Sequence, residues 1–539
     1  MEHLDHKRKI TIMIAIMSAM LFAALNQTIV GTATPKIISD LGGYEYYSWV
    51  FTSFMLASSV TAILVGKLSD IYGRKPFILV GLVIFMIGSF FCGLSETIIQ
   101  LIIYRGIQGF GAGIIMSTAF TAVGDLFSPR ERGRWQGLMS AVFGLASVFG
   151  PTLGGYIVDN ADWSWVFWIF LPVGVIAFFL IMTMFPSVKK KEGESVDYFG
   201  SLFLTFTLIP MLLAFSWAGT KYEWGSVEII GLLFASMIAL ILFIFVEKKV
   251  SSPVLPLHLF KNSVFTLSNL IGFFLGAGMF GTIMYMPFFV QGVIGTSATA
   301  SGFVMMPMTL SMVFTSALCG QLISKTGKYK ALALFGLLVM AGGMVSMSMM
   351  GTETTNTVAV INMIIVGLGL GISFPVVTLT VQNSVEQNLL GVATASSQLF
   401  RQIGGTIAVS IMGTVMTQRM IDRLNETTAN AHLGDAGSLS PEIAEKLSAL
   451  QDPKVLLDID KLGKLKASLP VEMHEMFTKM LDLLREALSY SLSGVFLLGA
   501  IIILVAFVFT LFLKENPLRS SQKQKEEVKL SKLSNQENN

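Results

Sequence analysis

Stretches of about twenty apolar residues follow one another along nearly the whole chain, and few architectures can absorb them. Bilayer hydrocarbon is roughly 30 Å thick and a helix rises about 1.5 Å per residue, so one crossing takes about 20 mostly apolar residues. Windows bounded by charge, Gly or Pro fall near 10–34, 47–66, 77–95, 97–122, 134–158, 164–185, 198–218, 227–247, 265–290, 299–323, 331–350, 357–381, 391–418 and 488–513, fourteen in all. Of the 539 residues 53% are hydrophobic and 13% charged, and the mean hydropathy is +0.69. A soluble domain carries about a quarter charged residues, so too few polar side chains are present to cover a water-facing globule of this size. The expected fold class is therefore all-α, a polytopic membrane protein embedded in a lipid bilayer.

Charge placement orients it. Lys7, Arg8 and Lys9 precede 25 largely apolar residues, longer than a signal-peptide core and without a small-residue cleavage site, which reads as a retained first span. An even number of spans puts both termini on one side. On that side lie Lys67, Arg74 and Lys75; Arg130, Arg132 and Arg134; Lys189, Lys190 and Lys191; Lys248, Lys249 and Lys261; and Lys325, Lys328 and Lys330. The opposite short loops offer Lys36 and Lys221, so the positive-inside rule predicts that both termini are cytoplasmic. The net charge of +3 is too small to imply a nucleic-acid partner. Cys92 and Cys319 stand far apart in apolar stretches, with neither metal-ligand nor redox spacing, and read as packing residues. Segment 419–487 is too charged to span. Its stretches 440–451 and 471–487 place apolar residues at three- and four-residue spacing, which predicts short amphipathic helices in an outer cap, with His474 a solvated residue rather than a ligand. The tail 514–539 is polar and predicted to be disordered in the cytoplasm.

An internal repeat organises the spans. GKLSDIYGRK at 66–75 and GQLISKTGKYK at 320–330 share G-x-L-x-x-x-x-G followed by a base, GFGAG at 109–113 corresponds to GLGLG at 367–371, and Gly133 corresponds to Gly391. Two six-span halves with spans seven and eight inserted between them account for fourteen. The domains expected are 1–185, a six-helix bundle; 186–261, the two-helix insert with its flanking loops; and 262–513, a second six-helix bundle carrying the outer loop. Repeated halves around a midplane site are the usual build of secondary transporters.

Several motifs add chemistry. In GKLSDIYGRK, Gly66 and Gly73 let helix ends and a tight turn approach a neighbour, Asp70 can sit near a helix end or an arginine, and Arg74 and Lys75 hold the loop inside. A plain positive-inside turn explains less, because glycine spacing, acid and repeated copy coincide. Arg105 lies well within an apolar window, with Gln108 beside it. A guanidinium in hydrocarbon is costly, so it faces either a wet cavity or polar partners, as a substrate- or proton-linked group or as a post between helices one, four and five. The glycines after it follow no strand, and helix packing explains them better than a dinucleotide loop. Span five ends in Gly150-Pro151-x-x-Gly154-Gly155, a loosened helix able to pivot or seal.

GKLSDIYGRK resembles the signature of the major facilitator superfamily between its second and third helices. YRGIQGFGAG at 104–113 resembles the fourth-helix motif of proton-driven drug exporters in that superfamily, and AVFGLASVFGPTLGG at 141–155 the fifth-helix antiporter motif, with Ala146 where many relatives have glycine. LNQTIVGTATP at 25–35, YSWVFTSFMLASS at 47–59 and SSQLFRQIGG at 396–405 are similar to the fourteen-helix drug:proton antiporter family. The resemblance implies the major facilitator fold of two six-helix bundles plus a two-helix insert. It also implies a monomer of the cell membrane that exports amphipathic small molecules by alternating access, powered by protons and needing no cofactor.

The chain departs from that pattern at Asn26, where many members have an aspartate thought to take part in proton coupling. Asn26 cannot titrate, although Asn26 and Gln27 still offer hydrogen-bonding groups to a substrate. All 34 acids fall in loops, tails or helix ends, whereas Arg105 and Arg401 lie within spans, the latter followed by Gln402. The resemblance thus suggests cationic or zwitterionic substrates, and the charge count anionic or zwitterionic ones. Asp40, Asp125, Glu223, Glu228 and Glu386 are the candidate proton carriers, with pairing to the Asp70 loop as the alternative for Asp125. The rival readings are an exporter of a defined anionic metabolite, lipid or signalling molecule and, less well supported, a membrane enzyme acting on lipid headgroups. Five scattered histidines and no carboxylate cluster supply no catalytic or metal site for the enzyme. No lysine-bearing phosphate loop is present for direct ATP drive.

Overall fold

The computed structural model describes residues 5–41, 49–186, 197–219, 221–250, 253–296, 298–386, 389–430, 466–467 and 474–515. Fourteen long helices run through them: α1 His6–Leu41, α2 Trp49–Tyr72, α3 Arg74–Gly93, α4 Ile98–Leu126, α5 Pro129–Asn160, α6 Trp165–Met184 with a turn at 169–170, α7 Tyr198–Trp217, α8 Val227–Glu247, α9 Ser263–Phe288, α10 Ala298–Thr326, α11 Lys330–Ser348, α12 Asn356–Asn383, α13 Leu390–Asn430 and α14 His474–Leu511. Among the described residues thirteen are long and apolar enough to cross a membrane. The fourteenth, α5, is as long as its neighbours at 32 residues and holds an uncharged, largely apolar stretch of spanning length at 138–158. It packs between α1 and α10, with protein on both sides.

The repeat is visible in who touches whom. In the first half α2 and α3 pack on α4, α1 packs on α5 and α6, and α3 packs on α6; in the second, α10 and α11 pack on α12, α9 packs on α13 and α14, and α11 packs on α14. Each pairing recurs with the helix number raised by eight. The two seams between the halves, α5 with α10 and α2 with α13, exchange under the same operation. Each half has its own apolar core: Phe22, Phe85, Ile115 and Phe120 are buried in the first, and a methionine-rich set including Met340, Met344, Met347 and Met363 in the second.

The insert lies on the outside of the α2–α13 seam, where α7 packs on both helices. Its core is shared with them: Leu204 and Leu208 of α7 and Phe243 of α8 cluster with Val60, Ile63, Val392 and Leu399. Away from that core α8 presents Ile230, Phe234, Met237, Ile241 and Phe245 outward, the face expected against lipid. The start of α1 and the end of α14 lie at one face, here called the terminal face. Lys9 sits 5.7 Å from the Phe127 ring at the end of α4, and Lys330, following α10, donates to the Leu511 carbonyl at 2.8 Å.

One expectation needs correcting. Residues 419–430 and 474–487 are not an outer cap of short helices: α13 continues to Asn430 and α14 begins at His474. From 474 to 487 the three- and four-residue apolar spacing belongs to α14 itself, whose Phe477 and Leu484 join the second half's core. At 41 residues α13 is about 60 Å long, roughly twice the hydrocarbon thickness. The protruding ends of the two helices are tied by Arg423 to Glu486 at 2.7 Å. The 440–451 stretch and the tail beyond 515 lie outside the described residues.

Candidate functional site

At the terminal face each seam is closed by a pair of glycines. A Cβ on Gly66 of α2 would come within 2.7 Å of the Ala395 Cβ and 2.9 Å of the Gly391 carbonyl oxygen on α13. Across the other seam a Cβ on Gly133 of α5 would lie 3.2 Å from the carbonyl of Gly320 on α10, and one on Gly320 would collide with the carbonyl of Gly133. These four residues are the ones the internal repeat matches, Gly66 with Gly320 and Gly133 with Gly391. Only a missing side chain lets backbones approach so closely.

The α2–α13 seam carries a charged latch as well. Asp70, in the last turn of α2, accepts from the amides of Gly391 and Val392 at 3.1 Å each, the first free N–H groups of α13. A helix N-terminus offers unpaired donors and a partial positive charge, and a carboxylate answers both. Gly73, with φ of 89°, turns the chain so that Arg74 opens α3 and reaches back. Arg74 bonds Asp70, donates to Ser69 Oγ at 2.6 Å and donates to Asp125 Oδ2 at 3.0 Å. Asp125 therefore stands paired with the Asp70 loop, and Lys75 sits half-buried in the first turn of α3.

Arg105 is buried deeper in the first half, fully inaccessible to solvent. Its Nη1 donates to Gln108 Oε1 at 2.6 Å and to Asn26 Oδ1 at 3.2 Å, its Nε donates to the Val50 carbonyl at 3.2 Å, and the guanidinium lies 4.2 Å from the Phe54 ring. Gln108 Nε2 also donates to Asn26 Oδ1 at 3.0 Å. Asn26 Nδ2 reaches Ser89 Oγ at 3.4 Å, and Ser89 donates to the Phe167 carbonyl at 2.7 Å. The network binds α1, α2, α3, α4 and α6 together, with Asn26 at its centre. Gln27 points elsewhere, to Met55 Sδ at 3.2 Å.

The glycine run of α5 packs on α1 at Gly150, where a Cβ would strike Thr28; at Gly155 nothing lies within 4 Å. Gly154 is buried, and Pro151 stands within the unbroken helix. In the second half Arg401 is partly exposed, 4.3 Å from the ring of Phe374, a residue of α12 that packs against the first half's core. Among the described residues no hydrogen bond or ion pair holds its guanidinium and no acid balances its charge at the junction of the halves. Gln402 is half-buried beside it.

The candidate proton carriers do not gather. Asp40 pairs with Lys36 at 2.8 Å, Glu223 and Glu228 are exposed at the face opposite the termini, and Glu386 is exposed in a cleft of about 790 Å³ at the terminal face. Two acids that nothing in the sequence singles out, Asp197 and Glu247, are buried instead. Both stand at helix ends like the others. The linker 253–259 bonds Glu247 through two amides and packs Val254, Leu255 and Leu259 with α7 and α8, and neither spacing nor hydropathy announces that. Among the described residues no three His, Cys, Asp or Glu side chains stand together as a metal site.

Comparison with known proteins agrees with this build. The family model described as Major Facilitator Superfamily matches residues 16–409. The chain is 41% identical over 511 residues to the multidrug transporter protein MdtP of Bacillus subtilis (strain 168), covering 94% of this chain and 93% of that one. It is 33% identical over 502 residues to multidrug resistance protein 3 of the same strain, covering 93% and 94%. Among solved structures, the proton:xylose symporter XylE matches with a TM-score of 0.61 at 14% identity over 96% of this chain and 98% of that one. The human organic anion transporter MFSD10 matches with 0.59 at 14% identity over 92% and 99%. Two bundles related by a repeat, two glycine seams and these relatives agree: the chain is a multi-pass membrane transporter, not an enzyme, and belongs to the major facilitator superfamily.

Proposed function

We propose that this protein is a secondary active exporter of amphipathic small molecules, working as a monomer of the cell membrane by alternating access and driven by proton antiport. The observation that carries the alternating-access part is the Asp70 latch. It is made between the halves, at one face, and consists of bonds that exist only while that face is shut. The relatives named as multidrug transporters support the substrate class. The basic clusters on the terminal face support its being cytoplasmic, with both termini inside. In this reading the structure is shut toward the cytoplasm, and Gly66, Asp70, Gly73, Arg74 and Lys75 form the inner gate. Purified protein in liposomes with an imposed pH gradient tests it, using one cationic, one zwitterionic and one anionic dye. Gradient-dependent movement of at least one dye is expected; transport indifferent to the gradient for every dye removes proton antiport.

A second reading, export of a defined anionic compound, is favoured by Arg401, whose charge no acid among the described residues balances. Arg401→Ala then abolishes movement of the anionic dye and spares the cationic one. Equal loss of both makes Arg401 a structural residue.

A further inference from the structure

With Asn26 unable to titrate, proton antiport needs an acid elsewhere, and burial narrows the choice. Among the described residues three carboxylates are buried: Asp70, Asp197 and Glu247. Both oxygens of Asp70 are bonded. Asp197 caps α7 with Oδ1, which accepts from Gly200 N at 2.8 Å, and Glu247 ends α8 with Oε1, which accepts from Val254 N at 3.1 Å and Leu255 N at 3.3 Å. The other oxygen of each, Asp197 Oδ2 and Glu247 Oε2, is buried with no hydrogen-bond partner among the described residues, on residues 6% and 4% exposed. The carboxyls are neighbours: a Cβ on Gly200 would touch Asp197 Oδ2 and lie 3.0 Å from Glu247 Oε1.

Buried acceptors without donors are costly, and two adjacent carboxylates repel. One proton relieves the repulsion, and the orphaned oxygen that takes it becomes a donor instead of an unmet acceptor. We propose that Asp197 and Glu247 hold one proton between them while the terminal face is shut, and release it when that face opens. Lys67 of α2, Lys248 after α8, His258 of the linker and Glu386 before α13 line the cleft that Glu247 opens onto, which gives the proton a path to water at this face. The cover over the pair is made of Val254, Leu255 and Leu259 packed with Val60, Ile63, Val392 and Leu399, residues of α2 and α13 themselves. Parting that seam takes the cover apart and admits water, which favours the ionised pair: the O–H bond breaks and the proton passes to a water of the cleft. Proton binding to the shut form means that low pH at this face holds the seam closed and high pH favours opening. The pair would then act as a proton-sensitive lock on the inner gate, since its path leads to this face, and the role rests on the alternating-access reading above.

The test is an infrared pH titration of the full-length protein in lipid nanodiscs. The wild type is expected to show a protonated-carboxyl C=O band that vanishes as pH rises, and Glu247→Gln and Asp197→Asn are each expected to lose it. Gln keeps the oxygen that accepts from Val254 and Leu255, and Asn caps helices as Asp does, so both variants retain their local bonds. A wild-type band retained in both variants, or no titrating band in the wild type, overturns the proposal. Dye transport that ignores the pH gradient while the band behaves as expected refutes proton drive and leaves the pair standing. Gradient-driven transport without the band refutes the pair alone.

Discussion

Asp70→Asn is the most direct way to weigh the inner latch. The carboxylate accepts two amides of the α13 terminus at 3.1 Å each. A hydrogen bond to a charged group contributes about 1.5–3 kcal/mol net, and a charge at a partly buried helix terminus up to about 2 kcal/mol. The terms overlap, and asparagine keeps one acceptor oxygen, so the variant loses about 2–3 kcal/mol of seam. At about 1.4 kcal/mol per tenfold change, that shifts the balance toward the open face roughly 30- to 150-fold. A population about 1% open would become roughly a quarter to three-fifths open. Spin labels on cysteines at Arg134 and Lys325, exposed residues at the terminal ends of α5 and α10, read the change as a longer distance. Arg74 keeps Ser69 and Asp125, so folding should be little affected. An unchanged distance distribution in a variant of wild-type thermal stability would refute the latch.

Other perturbations follow from the same contacts. Gly391→Ala puts a Cβ 2.6 Å from Asp70 Oδ1 and should lengthen the same label distance, whereas Gly155→Ala, with nothing within 4 Å, should leave it alone. Arg105→Ala leaves Asn26, Gln108 and the Val50 carbonyl short of a buried donor and should cost about 2–4 kcal/mol, read as a lower melting temperature in detergent. If that variant melts like the wild type yet no longer transports, the residue acts on substrate and is not a post. Trp224→Phe removes the 2.6 Å bond from the indole N–H to Thr414, on the outer end of the insert, and should cost about 1 kcal/mol by the same melt; no change at all would show that the insert is held there by packing alone.

The helices were legible because hydrocarbon demands apolar windows of a set length, and the fifth was legible despite its polar residues because glycine-rich packing still leaves an apolar stretch of the right size. The repeat was legible too, in glycines at 66 and 320 and at 133 and 391, but the sequence does not say that matched glycines close opposite seams. Partners of a buried charge are set by which helices meet, and α1, α2, α3, α4 and α6 meet around Arg105 only in three dimensions. The ends of α13 and α14 were hidden by their own polarity: outside the bilayer a helix no longer needs apolar residues, so hydropathy stops where the helix does not. Asp197 and Glu247 were hidden for the converse reason, since a charge at a helix end looks solvated until a linker folds over it.

One asymmetry between the halves tests how the latch works. Aligning Gly66 with Gly320 and Gly73 with Gly327, both turn glycines having positive φ, sets Ser324 where the first half has Asp70. The helix facing Ser324's turn has no use for an acid. The first turn of α5 is capped from within, with Glu131 Oε2 accepting from Ser128 N at 3.2 Å and the amides of Glu131 and Arg132 bonded to the Ser128 carbonyl at 2.9 and 3.0 Å. Gly133 comes after that turn, where amides bond to carbonyls within the helix. At α13 the matched Gly391 falls in the opening turn, and its amide and that of Val392 are free for Asp70. Ser324→Asp added to Asp70→Asn should therefore leave the label distance as long as in the single variant, because the new carboxylate finds no open helix terminus. Restoration of the short distance would mean that a negative charge anywhere on the seam suffices, and that bonding to the α13 amides is not what closes the gate.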